Sequence, residues 1–233
     1  MNRWLLMMVS LFLSNMMVMP AFADETPKWE KVSHEDGVLV HQKEQPGSDL
    51  PAFRGRGVVK AGILEILAVL DDGDRAKEWM HRCVESVVVE RSSDFERVTY
   101  NKTDAPWPVS DRDVVVRSKM TLNPKTKTVL IRFRAIKHKK YPASEDTVRM
   151  TELSGHFKLK VINEKKTIVE YMVKANPGGS IPTWLVSEVS EDIPLDTIRG
   201  LRRQVGKTRG TYEQFITRWD PVKGGKFPAD FME

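Results

Sequence analysis

The sequence predicts an α+β fold, an antiparallel sheet packed on one side by a long C-terminal helix. Three observations point there. Apolar residues recur with a period of two through most of the chain, helical spacing replaces it in only two regions, and strands and helices segregate instead of alternating. The strand period is plainest where Val129, Ile131, Phe133 and Ala135 alternate with Leu130, Arg132, Arg134 and Ile136. Phe157, Leu159 and Val161 alternate with Lys158 and Lys160, and Val169, Tyr171 and Val173 with Glu170, Met172 and Lys174. Further strands are expected at 37–43, 53–60, 84–90, 97–102, 114–121 and 147–153. Asn123-Pro124-Lys125-Thr126 reads as the turn of a hairpin.

The first helical region is Ile63–Leu70, stopped by Asp71-Asp72-Gly73-Asp74, with a short second helix expected over 75–80. The other runs from Thr183 to about Trp219, where Leu185, Val189, Ile193, Ile198, Leu201 and Val205 recur at helical intervals. Pro194 is expected to bend or interrupt it, since proline lacks the backbone donor and crowds the preceding turn. A sheet with a helix across one face leaves room for a cavity between them.

The 233-residue chain divides by composition. Met1-Asn2-Arg3 gives a positive start, Trp4 to Met19 is an apolar run, and Ala21-Phe22-Ala23 supplies a small-x-small cleavage pattern. Residues 1–23 are therefore expected to be a secretory signal peptide. The run is also short for a bilayer span, which takes about 20 residues. Localisation after cleavage near Ala23 is expected to be periplasmic or secreted. The remaining 210 residues carry 36 basic and 32 acidic side chains, a formal +4. That length fits one domain with a real core. The mild basicity is spread out and offers no concentrated basic face, so nucleic acid is not an expected partner. Cys83 stands alone, which excludes an intramolecular disulfide and any site built from several thiolates.

Catalytic and metal signatures are missing. The five histidines form no HExxH and no helical pair, and Asp71–Asp74 lacks the acidic spacing of a calcium loop. There is no Gly-x-Ser-x-Gly elbow and no Gly-rich phosphate loop. No metal or cofactor is expected. Two apolar loops say more. Ala105-Pro106-Trp107-Pro108-Val109-Ser110 sets a Trp between prolines, and Asn176 to Leu185 (NPGGSIPTWL) places Ile181 and Trp184 at the start of the long helix. Apolar side chains on stiff Pro/Gly frames either fold back onto the core or rim a cavity and touch an apolar partner.

Trp107-Pro108-Val109-Ser110-Asp111-Arg112-Asp113-Val114-Val115, followed some 60 residues later by the Asn176–Leu185 stretch, resembles the START lipid-transfer domain family. The resemblance covers Trp29 to Gly206 and leaves 207–233 as a C-terminal extension. It implies the helix-grip fold, a curved antiparallel sheet wrapped around the C-terminal helix with a lipid in the tunnel between them. It implies no chemistry and transient contact with a membrane surface. It also implies that the two loops form a lid, with Trp107 near one tip and Ser180–Ile181 on the opposing loop. Entry requires that lid to open, which makes Gly178-Gly179 the expected hinge, Pro182 a stiff stop, and Trp107, Ile181 and Trp184 the expected bilayer contacts.

The family's additional N-terminal helix is not expected here. Some members keep a carboxylate and an arginine inside the tunnel, and those positions fall at Asn101 and Ser118, with Arg117 one residue early. Asn101, Arg117, Ser118 and Tyr171 are thus the candidates for holding the polar end of a ligand, and Leu185 and Val189 for its apolar part. Arg199, Arg202, Arg203, Lys207 and Arg209 read as a solvated helix face.

The function expected is reversible lipid binding and exchange at membranes by a monomer. The alternative is a helix-grip enzyme of the aromatase/cyclase type, with Arg117 or Asp113 and Tyr171 as acid–base groups. A third reading is an interaction module gated by its ligand.

Overall fold

The computed structural model describes residues 28–231 apart from Ser180 and Pro182, and the side chains of these except Asp49 and residues 183–190. The expected signal peptide, residues 1–23, lies outside the described residues.

The chain opens with β1 (Glu30–Glu35), β2 (Val38–Gln45) and β3 (Ser48–Val59), then α1 (Ile63–Asp71) and a 3-10 turn over Gly73–Glu78. Next come β4 (Cys83–Ser93), β5 (Glu96–Thr103), β6 (Arg112–Asn123), β7 (Thr128–Ala135), β8 (Val148–Arg149), β9 (Glu152–Asn163) and β10 (Lys166–Asn176). Helices α2 (Thr183–Lys207) and α3 (Glu213–Trp219) follow. The strands form one sheet in the order β1-β2-β3-β10-β9-β7-β6-β5-β4, with β8 added in parallel to β6. The pairings along that order are antiparallel, most of them between strands consecutive in the chain, while β3 pairs with the distant β10, and α2 lies across β3, β2 and β10. The α+β architecture expected from the segregated periods is the one observed.

Each departure from expectation has a local cause. Strand β1 has no apolar alternation to advertise it; only Val32 packs toward the core. Its signal is the Asp36-Gly37 pair, where both residues take positive φ (48° and 66°) and close a two-residue hairpin. The strand expected at 147–153 is two pieces, β8 and the start of β9, and the helix expected at 75–80 is the 3-10 turn.

Pro194 does not interrupt α2. The helix runs through it, and the ring lies over Gly55 of β3, where even a single added Cβ would come within 2.8 Å of the Pro194 Cβ. The helix instead ends at Lys207, where Thr208 turns its hydroxyl back to the Gln204 carbonyl at 2.8 Å and Gly210 takes φ of 81°. A second short helix, α3, then folds back against α1.

The C-terminal extension is part of this core. Trp219, Phe227 and Phe231 are among the largest fully buried side chains. Trp219 meets Phe95 edge-on at 5.5 Å and stacks on Phe215 at 5.8 Å; Phe227 and Phe231 pack at 4.6 Å. Polar ties fix it too: Tyr212 donates to Asp72 at 2.8 Å and Lys226 pairs with Asp94. Two basic residues of α2 are similarly occupied. Arg199 pairs with Glu35, Asp36 and Asp196, and Arg202 donates to the carbonyls of Asp36, Gly37 and Val58. Together they hold the β1–β2 turn onto the helix.

Candidate functional site

Strand alternation decides which side chains reach the interior. On β5 the odd-numbered Thr99, Asn101 and Thr103 line a cavity of about 260 Å³, and on β6 the even-numbered Arg112, Val114, Val116 and Ser118 do. The far wall is apolar: Ile131 and Phe133 of β7, Phe157 of β9, and Tyr171 and Val173 of β10. Its rings pack on one another, Phe157 on Tyr171 at 4.5 Å and Phe133 on Tyr171 at 5.9 Å. Ile193 and Thr197 of α2 close one side, and Ala76 and Trp79 another. Pro106 and Val109 of the β5–β6 loop, with Pro177 and Ile181 of the β10–α2 loop, stand at one end.

Of the residues singled out from the sequence, Asn101, Ser118, Tyr171 and Ile181 are brought together on this lining. Trp107 sits outside it, 92% exposed at the tip of its loop. Gly178 and Gly179 both take left-handed φ (64° and 72°), which glycine adopts without strain. The side chains of Trp184, Leu185 and Val189, and Pro182 as a whole, lie outside the described residues.

Arg117 is a correction. It has the odd parity of β6, so it projects from the opposite face with Lys119, 3.7 Å from Glu96 and 45% exposed, and does not line the cavity. The single-residue offset from Ser118 turns it outward. Asp113 has the same parity and is also turned away. Its carboxylate accepts from Arg149 Nε and Nη2, both at 2.8 Å, and these bonds hold it below the usual carboxylate range. Arg149 reaches on to the carbonyls of Tyr141 and Pro142, pinning the segment between β7 and β8 over the outer face. Neither Asp113 nor Arg117 therefore faces Tyr171, and the acid–base grouping considered for an enzyme is not assembled. Burial alone pushes the Tyr171 phenol upward.

The charged groups that reach the lining are bonded within the protein, although Arg97 shares Asp71 with Arg91 and keeps a buried Nε without a partner. Arg97 donates to Asp71 Oδ1 at 3.0 Å and to the Leu70 carbonyl, with burial lowering its pKa. Arg82 pairs with Asp104 at 2.9 Å, and His81 lies 3.2 Å from Asp196 with burial lowering its pKa. Arg112 spans the two end loops: it donates to Ser110 O, to Pro177 O at 3.4 Å and to Gly178 O at 3.3 Å. The neutral groups bond among themselves. Ser86 Oγ lies 2.8 Å from Asn101 Oδ1 and 2.5 Å from the Gly73 carbonyl, and Asn101 Nδ2 donates to Thr99 Oγ1 at 3.3 Å.

Arg112, Arg97 and the pairing of Asp113 with Arg149 were not identified from the sequence. Arg112 is inside the quoted motif, but its partners lie 65 and 66 residues away. Asp113 and Arg149 are 36 residues apart. Such pairings leave no local pattern.

A curved antiparallel sheet gripping a long C-terminal helix, with an internal cavity under two loops, defines a helix-grip protein. The chain belongs to the START domain family, whose model matches residues 15–210. It is 34% identical over 179 residues to an uncharacterized protein of Pseudomonas aeruginosa, covering 77% of this chain and 87% of that protein. It is 25% identical to the phosphatidylcholine transfer protein of Mus musculus over 162 residues, 68% of this chain and 75% of that one. Among solved structures it is similar to the STAR-related lipid transfer protein (fragment 25–204) of Xanthomonas axonopodis. The TM-score there is 0.70 at 29% identity, covering 76% of this chain and 98% of that fragment.

Proposed function

We propose that the protein is a lipid carrier that binds its cargo in the cavity and exchanges it at membranes, without covalent chemistry. The observation that carries this reading is the pairing of a cavity walled by Phe133, Phe157 and Tyr171 with an adjoining loop that exposes Trp107 almost completely. Burial of hydrocarbon stabilises such a complex by about 0.8 kcal/mol per methylene, so few polar contacts are required. An exposed Trp between prolines is costly in water and favourable at a bilayer interface. Its role here is to bring the loop end of the cavity to the membrane. Ile181 on the opposing loop completes an apolar rim, and Gly178-Gly179 supply the backbone freedom for opening.

The reading includes export, with residues 1–23 removed after Ala23, and action as a monomer. A native mass spectrum of protein recovered from the producing cells reports both, as a single chain beginning at Asp24. A mass that retains residues 1–23, or a dimer, would remove that part of the proposal.

The lid is tested by Trp107→Ala. Because the side chain is 92% exposed, the melting temperature should stay within about 2 °C of the parent. Transfer of fluorescent lipid between vesicles should slow by about tenfold or more, the loss of one interfacial Trp anchor. Unchanged transfer would sink the lid assignment.

A further inference from the structure

The sequence offers no concentrated basic face, but the fold builds one from residues on three strands. On β6, β7 and β9 the side chains that alternate with the inward-facing ones project from the outer face of the sheet. In the middle of that face stand Arg117 and Lys119 of β6, Arg132 and Arg134 of β7, and Lys158 and Lys160 of β9, all exposed. Register pairs like with like: Arg117 lies directly opposite Arg134, and Lys119 directly opposite Arg132. Like charges in facing positions destabilise a sheet, and here two such pairings sit side by side.

Carboxylates offset little of this charge. Glu96 comes within 3.7 Å of Arg117, while Glu170, opposite Lys158, is bonded to His156 at 3.1 Å, and Glu152 stands at the loop end of β9. Among the described residues no ion pair involves Lys119, Arg132, Arg134, Lys158 or Lys160. Beyond β7, Ile136 still bonds to the Val115 carbonyl of β6. The exposed Lys137, Lys139 and Lys140 then carry the charge toward the loop end, ahead of Glu145 and Asp146.

What this face lacks decides what it fits. Protein–protein interfaces have an apolar, aromatic core and are poor in lysine. Of the exposed large apolar side chains among the described residues, none lies on β6 or β7 and only Ile162 lies on β9. Exposed cations without an apolar centre suit a fluid layer of anions, where no charge needs a fixed partner.

We infer that the outer face of β6, β7 and β9 docks the protein on an anionic lipid bilayer. Lipid phosphates supply the counter-charge that the fold leaves out, which relieves the facing pairs. The inference goes beyond the carrier reading and holds whatever the cargo.

The test measures sedimentation of the purified protein with phosphatidylcholine vesicles, with and without phosphatidylglycerol, at low and at raised salt. Binding should favour the anionic vesicles by about tenfold or more and weaken as salt rises. Each cation near such a surface is worth about fivefold, so Arg132→Gln/Arg134→Gln should lower binding to them by about twentyfold. Its melting temperature should hold or rise, because each change removes a like-charge pairing. Equal binding to both vesicle types, or a double variant that binds like the parent, overturns the inference. So does tighter binding to a short duplex DNA than to the anionic vesicles, which would make the face a nucleic-acid surface. Protein that docks on anionic vesicles as expected but moves no lipid between them supports this inference and removes the carrier reading alone.

Discussion

Trp219→Ala should destabilise the protein by about 3–5 kcal/mol, the range for emptying a fully buried aromatic site. At this chain length each kcal/mol moves the melting temperature by about 2–4 °C, so the midpoint should fall by roughly 10 °C or more. Trp219 is 1% exposed and contacts Phe95 from the β4–β5 turn and Phe215 from its own helix. The side chain therefore joins the C-terminal segment to the sheet, and the cavity it leaves cannot close without moving both. The effect should be global: tryptophan fluorescence and far-UV circular dichroism should report one coincident transition. A loss of less than about 1 kcal/mol would mean that residues 208–231 ride on the domain without contributing to its core.

Gly200→Ala should be nearly as damaging, against the ordinary trend. Alanine in a helix interior is worth up to about 1 kcal/mol over glycine. Here the added Cβ would lie 1.8 Å from the Trp79 carbonyl oxygen and 2.9 Å from its carbonyl carbon. Those are backbone atoms, so relief requires α2 to move away from the segment that precedes β4. Overpacking of this kind costs roughly 1–3 kcal/mol, and more when backbone must shift. Trp79 also lines the cavity, so the displacement reaches the binding wall. A shifted urea midpoint at unchanged slope is the expected readout, accompanied by weaker lipid uptake. A variant as stable as the parent would show that this helix contact has slack.

These two positions also show what the sequence conveys and what it withholds. The alternation at Val129–Ala135 and Thr167–Lys174 predicts the sheet because a half-buried strand must repeat every two residues. The same rule, applied with the correct parity, turns Ser118 inward and Arg117 outward. The spacing from Leu185 to Val205 gives α2, since one helix face must be apolar. The START motif adds the order of the elements and the two loops. Nothing local shows that Gly200 touches Trp79, that Pro194 is accommodated by Gly55, or that Asp113 is held by Arg149. Those are properties of the folded arrangement. The C-terminal aromatics were visible as apolar residues, but only the fold tells whether they dock on their own domain.

Arg112 carries a mechanical consequence. One guanidinium donates to carbonyls in both loops at the end of the cavity, Ser110 on one side and Pro177 and Gly178 on the other. Displacing either loop alone would leave part of the same guanidinium unbonded in a buried setting, the kind of unsatisfied donor that is costly to keep. In the proposed carrier the two loops are linked through this guanidinium, so opening at either is coupled to a segment more than sixty residues away in the chain.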